Sequence, residues 1–291
     1  MKSSAYKAKL ALLIAMIIWS TSFVALKAVF RVYDPMFVIW GRQALAAVVF
    51  LFVIKKLWRQ CRPEPGDFKY LILMSLFEPC MYFVFEAMAI VNTTASQAGM
   101  LTSMLPLLVA VIAFFILKER TTPLTWIGFI TAVSGAVILS IFSEATEDAP
   151  NPVLGNLLEF MAMVCATGYT ISLKKLSSRY SPFFLTSVQC FVGTVFFLPL
   201  VFISGGGFPS HFAPLPALGI IYLGIIVTIG AYGLYSVGIS RVKASTAAAF
   251  VNLIPVFTIF WGWIFLGETM NLPQYGGCAL VFLGVYLSQR R

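Results

Sequence analysis

A stretch of 25 residues, Ala95–Glu119, recurs 149 residues later as Ala244–Glu268, and no other feature of this chain narrows its possible folds so far. Both copies begin on Ala-Ser, carry a proline at the same place (Pro106 and Pro255) and close on an acid (Glu119 and Glu268). Continued without a gap, the alignment brings Gly128 onto Gly277 and Gly135 onto Gly284. Eight of the 45 positions from 95 to 139 are identical, a low share for so apolar a chain. The weight lies in where the matches fall: a small-residue start, a mid-segment proline, a terminal acid and two glycines at helix-packing spacing. Self-similarity of this kind marks an internal duplication.

The duplicated unit is read as a set of membrane-spanning helices. Apolar residues lie in continuous blocks of roughly 18–23 residues, the length of helix that crosses ~30 Å of hydrocarbon. Barrel strands would instead alternate polar and apolar over about ten residues. Charged residues make up 11% of the chain and mean hydropathy is +0.92. A soluble domain carries about 25% charge, so a water-facing surface of this size could not be covered. Ten spans are expected, near 10–30, 35–54, 69–91, 94–117, 123–142, 153–174, 182–203, 215–238, 243–266 and 272–289. The run Leu10–Phe30 follows basic residues but is too long for a signal peptide and has no clear cleavage site, so it is read as a retained first span. Pro35, Pro123, Pro182 and Pro273 fall in first turns, where a missing N–H costs little. The fold class expected is an all-α membrane protein, ten transmembrane helices in two inverted five-helix repeats, 1–147 and 148–291, joined at the polar link 143–152.

The inversion comes from charge placement. The net charge of +9 is no nucleic-acid footprint, because the basic residues sit in short loops, where they set orientation. With the N-terminus in the cytoplasm, 17 of the 20 lysines and arginines fall on the cytoplasmic side. Lys27 and Arg31 fall on the far side, and Arg42 lies inside the second span. An odd number of spans per half makes the second half enter the membrane upside down. Inverted repeats are a device of secondary transporters, in which the halves exchange conformations to open one side and then the other. The location expected is a bacterial inner membrane, multi-pass, with both termini cytoplasmic.

The segments TASQAGMLTSMLPLLVAVIAFFILKE and GFITAVSGAVIL return as KASTAAAFVNLIPVFTIFWGWIFLGE and GGCALVFLGVYL, with Trp19-Ser20-Thr21-Ser22-Phe23 near the start. In these motifs, and over nearly its whole length, the chain resembles the drug/metabolite transporter superfamily, EamA-type. The resemblance implies a ten-helix inverted-repeat transporter with a central cavity, commonly an exporter of amino acids or other small metabolites. It does not name a substrate, and the family includes importers and exchangers.

Ionisable residues at membrane depth are costly and mark pathways or partners. Glu78 lies in mid-span directly before Pro79, which removes the bond to the Ser75 carbonyl and is expected to kink the helix. A carboxylate beside freed backbone groups suits a substrate or proton site, or alternatively a brace. Glu86 lies two turns further along, and Tyr82 shares its face one turn before it. Arg42 and Glu159 lie at comparable depth, so Arg42 is expected to pair with Glu86 or Glu159, as a gate or as a static brace. Lys27, one turn from a span end, is read as snorkelling to the interface. Glu119 and Glu268 sit at helix C-termini, where the dipole disfavours an anion, and are read with Pro106 and Pro255 as a structural repeat motif that locks each span to the next. Trp19, Ser22, Tyr82, Tyr169, Tyr232, Tyr235, Gln97, Ser103 and Asn252 are candidates for a cavity wall, with lipid or helix packing the alternative for any single ring. Asn252, three residues before Pro255, needs a partner or water.

The five cysteines form no CxxC and no pairing with the single His211, so neither metal, disulfide framework nor cofactor is expected. No phosphate-binding Gly-rich loop or nucleotide-hydrolysing module is present, and no set of nucleophile, base and metal suggests a membrane enzyme. The function expected is secondary transport of a small molecule, an amino acid or similar metabolite, most simply by export and with H+ as a candidate coupling ion. The partners are then substrate, proton and lipid bilayer, with no nucleic acid. An uncoupled facilitator, an importer and a membrane scaffold or sensor are the alternatives.

Overall fold

The computed structural model describes residues 2–60, 64–117 and 122–289. Among these, every regular element is helical: α1 (Lys2–Phe30), α2 (Pro35–Leu51), α3 (Ile54–Gln60), α4 (Phe68–Ser75), α5 (Tyr82–Asn92), α6 (Ala95–Leu101), α7 (Met104–Leu117), α8 (Pro123–Ile141), α9 (Pro152–Leu176), α10 (Pro182–Ile203), α11 (Pro214–Tyr222), α12 (Tyr232–Arg241), α13 (Ala244–Val251), α14 (Leu253–Trp261) and α15 (Leu272–Gln289). Starts follow the sequence. Asp34, Asn151 and Ser181 each cap the turn that a following proline opens, at α2, α9 and α10, accepting from Phe37, Leu154 and Phe184 N–H. Several elements run on into one another. α4 and α5 join through a π turn at Leu76–Met81, and α11 and α12 through Leu223–Ala231. The expected kink falls at Glu78, whose backbone is extended (φ −150°, ψ 119°) inside the turn that contains Pro79.

Counted as continuous rods, eight described helices are long and apolar enough to cross a membrane, from Tyr6–Phe30 to Ala244–Leu266. Pro35–Leu51 and Leu272–Ser288, where two further spans were expected, are shorter apolar helices.

Equivalent residues of the two halves make the same contacts twice. α8 and α15 cross at glycines: a Cβ on Gly128 would lie 2.4 Å from the Gly284 carbonyl oxygen, and one on Gly135 would lie 2.6 Å from that of Gly277. Residue 128 thus meets the counterpart of 135, and 135 the counterpart of 128, so the two helices run antiparallel. Only glycine lets backbones approach this closely.

Long polar side chains hold the two broken mid-span turns from the other half. Arg42 Nε donates to Thr228 Oγ1 (3.0 Å), and Gln189 Nε2, 147 residues further on, donates to the Glu78 carbonyl (3.0 Å). The same doubling occurs at span ends. Lys27 Nζ donates to the carbonyls of Ile90 (2.5 Å), Thr93 (2.7 Å) and Asp148; Lys174 Nζ donates to those of Ile239 (2.8 Å) and Val242 (2.6 Å). Lys27 is 4% exposed, which corrects the expectation of snorkelling: the ammonium satisfies orphan carbonyls at a helix C-terminus, where the dipole favours a cation.

Two tyrosines clasp one half to the other. Tyr33 accepts from Ala213 N–H (2.7 Å) and donates to its carbonyl (3.2 Å). Tyr180 accepts from Glu64 N–H (3.2 Å) and donates to Asp67 Oδ2 (2.9 Å), where Arg179 also binds both Asp67 (2.9 Å) and Glu64 (3.0 Å). The Tyr33 clasp follows α1, whose end Lys27 ties to the end of α5, whereas the Tyr180 clasp sits at the start of α4. They close opposite ends of the bundle. The Tyr180 hydroxyl, and then the Arg179 guanidinium, hold the Asp67 carboxyl below the ordinary aspartate value.

Candidate functional site

Between the halves lies a cavity of about 50 Å³. α1 contributes Trp19, Ser22 and Phe23; α2 contributes Arg42; the α4–α5 rod contributes Glu78, Tyr82 and Glu86. α9 adds Met163, Ala166, Tyr169 and Thr170, and α12 adds Tyr232 and Tyr235. Thr102 and Leu105, with Val251 and Ile254, come from matching places before and around Pro106 and Pro255, so both copies of the repeated stretch reach the wall.

The aromatic part of the wall is a packed group. Trp19 lies 4.9 Å from both Tyr232 and Tyr235, centroid to centroid, and Tyr169 stacks on Tyr235 at 6.4 Å. Such rings offer an apolar surface with polar tips. Into it project one cation and two acids. The Arg42 guanidinium lies 4.3 Å over the Phe83 ring, an interaction worth about 2 kcal/mol when desolvated. Tyr232 donates its hydroxyl to Glu78 Oε1, and Tyr82 donates to Glu86 Oε1 at 2.9 Å. Each acid is therefore oriented by a tyrosine.

Six of the seven pathway candidates named from sequence come together here: Trp19, Arg42, Glu78, Tyr82, Glu86 and Tyr235. Asn252 does not line the cavity, although its neighbours Val251 and Ile254 do; its Oδ1 is buried without a partner. Gln97 also points elsewhere, accepting from Asn156 Nδ2 (2.8 Å) and Ser143 (2.8 Å), while Ser103 turns back onto the Met100 carbonyl. Arg42 forms no ion pair with Glu86 or Glu159, since no carboxylate comes within 4.0 Å of it among the described residues. Its bonding partner is the hydroxyl of Thr228, which sequence reasoning missed because nothing marks one threonine among the apolar residues of that span.

Glu119 lies outside the described residues. Glu268 does not lock its own span to the next: Oε1 and Oε2 accept from the N–H groups of Ala95 and Ser96, both at 2.8 Å, capping the first copy of the repeat from the second. A carboxylate at a helix N-terminus is the favourable arrangement that its own C-terminal position denied it. No cluster of ligating side chains fit for a metal exists among the described residues.

Comparison with known proteins agrees with this architecture. A solved crystal structure 19% identical to the chain superposes with a TM-score of 0.64 over 97% of this chain and 96% of its own. An uncharacterized transporter of Archaeoglobus fulgidus is 30% identical over 281 residues, 94% of this chain and 95% of that protein. A probable terminal-alkyne amino-acid exporter of Streptantibioticus cattleyicolor is 24% identical over 286 residues, 98% and 94% of the respective chains. The profile of the EamA-like transporter family matches twice, over residues 7–141 and 153–289. Two copies of that unit, assembled as an all-helical membrane protein around a shared cavity, leave one conclusion: the chain belongs to the EamA-like transporter family, whose members are transporters and not enzymes.

Proposed function

We propose that this protein is a secondary transporter of the bacterial inner membrane that exports amino acids or closely related metabolites by alternating access. The observation that carries the reading is the gathering of Arg42, Glu78 and Glu86 in the wall of one aromatic-lined cavity between the halves. An α-amino acid bears a carboxylate, an ammonium and a side chain. Arg42 suits the first, since a guanidinium pairs with a carboxylate in a planar fork. Glu78 and Glu86 suit the second, and the rings of Trp19, Tyr169, Tyr232 and Tyr235 suit the third. The exporter relative from Streptantibioticus cattleyicolor supports both cargo class and direction.

The machinery is ten transmembrane helices in two inverted five-helix halves, 1–147 and 148–291. The two shorter apolar helices complete the ten, each about 26 Å long and able to span with modest local thinning of the bilayer. The antiparallel glycine crossing of α8 and α15 supports a two-fold axis relating the halves, as do the doubled Arg42/Gln189 and Tyr33/Tyr180 contacts. Such an axis lies in the membrane plane if both termini are cytoplasmic, as the Lys and Arg asymmetry requires. The clasps then act in alternation: one opens while the other holds.

The test is a flux screen in proteoliposomes against labelled amino acids, with and without a pH gradient. Specific counterflow that Arg42→Ala abolishes upholds the reading. Absence of any saturable flux refutes it, and flux indifferent to every ion gradient makes the protein a facilitator.

A further inference from the structure

Two buried acids in this bundle have oxygens with nothing to bind. Glu86 spends Oε1 on the Tyr82 hydroxyl, and its Oε2 is buried without a partner. Glu159, on α9, is 0% exposed, and neither of its oxygens has a partner. The packing of α9 on the α4–α5 rod sets these two acids level. Gly155 abuts Asn92 and Thr93, and Gly168 abuts the Phe77 ring, so the helices run antiparallel. Counting inward from either contact brings residue 159 opposite the stretch from 86 to 89.

No basic side chain comes within 4.0 Å of either acid among the described residues, and on α9 itself Cys165 and Tyr169 lie about 9 and 15 Å along the helix from Glu159. Arg42 on α2 is tied to Thr228 and lies over Phe83. Lys27 on α1 is held by three carbonyls. Glu78 takes the Tyr232 hydroxyl, and Tyr82 serves Glu86 itself. On α12, Tyr235 lies within hydrogen-bond reach of Thr170, and Arg241 is exposed at the far end. Lys69 and Tyr70 sit at the opposite end of the α4–α5 rod, about 24 Å from the level of Glu86 by helical rise. The remaining helices packed on α9, namely α6, α7, α8 and α13, bring no ionisable side chain.

Two carboxylates at one depth on packed helices, both ionised and with three of their four oxygens unpaired, are not a stable arrangement in an apolar interior. A cation must complete them. A metal ion needs several further oxygens that two carboxylates do not supply, and no third acid, histidine or cysteine joins them among the described residues. We propose that Glu86 and Glu159 form a proton-binding site, and that the proton held between them is exchanged for the cargo. Glu86 links the two roles, because it alone of the pair lines the cavity. An ammonium arriving at Glu86 stabilises its ionised form, and the shared O–H proton passes to water at the open end. On the return, a proton from water re-forms the O–H and displaces the ammonium. Only an O–H bond breaks and re-forms, and nothing is oxidised. This rests on the reading of the cavity as a cargo site; Glu159, outside the cavity wall, serves the proton alone.

Two measurements test it. In the first, proteoliposomes with an acidic lumen are offered a tritiated protein-amino-acid mixture at neutral pH. For exchange of one proton, a gradient of one pH unit drives up to about tenfold accumulation. Wild type is expected to show this. Glu159→Gln is expected to lose it while retaining label counterflow within about twofold of wild type. Glu159→Asp is expected to keep the gradient response. Accumulation by Glu159→Gln equal to wild type overturns the site, and so does wild-type flux that ignores the gradient, which leaves the transport reading standing. In the second, detergent-purified wild type and Glu159→Gln are titrated with base against a pH indicator. Wild type is expected to release about one proton per chain more. Equal release overturns the site whatever the cargo proves to be. Absence of any label movement in wild type, with the extra proton still counted, refutes the amino-acid reading and upholds the proton site.

Discussion

Gly276 and Gly277 are neighbours on α15, yet alanine at each is expected to change stability in opposite directions. A Cβ on Gly277 would lie 2.8 Å from the Gly135 carbonyl oxygen and 2.9 Å from the Leu139 nitrogen, both backbone atoms of α8. A Cβ on Gly135 would meet the Gly277 oxygen at 2.6 Å. Ordinary contact starts near 3.4 Å, so the helices must part by about 0.6 Å for Gly277→Ala (3.4 against 2.8) and about 0.8 Å for Gly135→Ala (3.4 against 2.6). Neither neighbour is the end of a flexible side chain that could swing away. Overpacking of this kind costs about 1–3 kcal/mol. A Cβ on Gly276 meets nothing within 4 Å, so alanine there gains helix propensity, up to about 1 kcal/mol. Thermal unfolding of the purified protein in detergent reads the difference at about 2–4 °C per kcal/mol. Melting is expected to fall for Gly135→Ala and Gly277→Ala and to hold or rise for Gly276→Ala. The double variant Gly135→Ala/Gly277→Ala should lose less than the sum, because the first separation relieves the second. Equal effects at 276 and 277 would refute the crossing.

Lys27→Met strands three buried carbonyls, and since a hydrogen bond to a charged group contributes about 1.5–3 kcal/mol, a net loss of roughly 2–4 kcal/mol is expected in the same melt. Arg42→Lys keeps the charge but loses the planar fork and the stacking on Phe83; counterflow of amino acid should show an apparent KM raised at least about tenfold, and the melt should fall by up to about 2 kcal/mol. The Asp67 carboxyl is held low by Tyr180 and Arg179, so its share of the clasp is fully present at neutral pH and is lost only as pH falls through the lowered folded value, beneath the ordinary range near 4. The distance between spin labels placed across that clasp should therefore stay flat from neutral pH down to about 5 and widen only below it.

Much of the bundle could be read before any coordinates. Span positions follow from hydropathy because lipid demands a continuous apolar run. The repeat was visible because its surviving matches are backbone-level constraints: Gly128, Gly135, Gly277 and Gly284 admit no other residue at the crossing. Glu78, Glu86 and Arg42 stood out because charge at membrane depth is rare. The partners of those charges were not legible. Arg42 and Thr228 are 186 residues apart, and no local pattern predicts which hydroxyl a guanidinium will meet. Lys27 was misjudged because its distance from a span end gives depth but not the face it turns. On a lipid-facing side it would snorkel; turned inward, it caps α5. Asn252 missed the cavity for the same reason: the chain turns at the junction of α13 and α14, so the faces presented there shift in a way that a continuous helical wheel does not anticipate.

The tyrosine clasps differ in one respect that bears on how such a carrier rests. Tyr33 grips only the peptide group of Ala213, whereas Tyr180 shares its grip with Arg179, Glu64 and Asp67. Dissolved salt competes for exposed ionic partners and leaves a phenol on a peptide untouched. Rising ionic strength therefore cheapens the opening of one door and not of the other. If the clasps alternate as proposed, two nearly matched halves thereby acquire a favoured waiting side, set by the medium and not by the cargo.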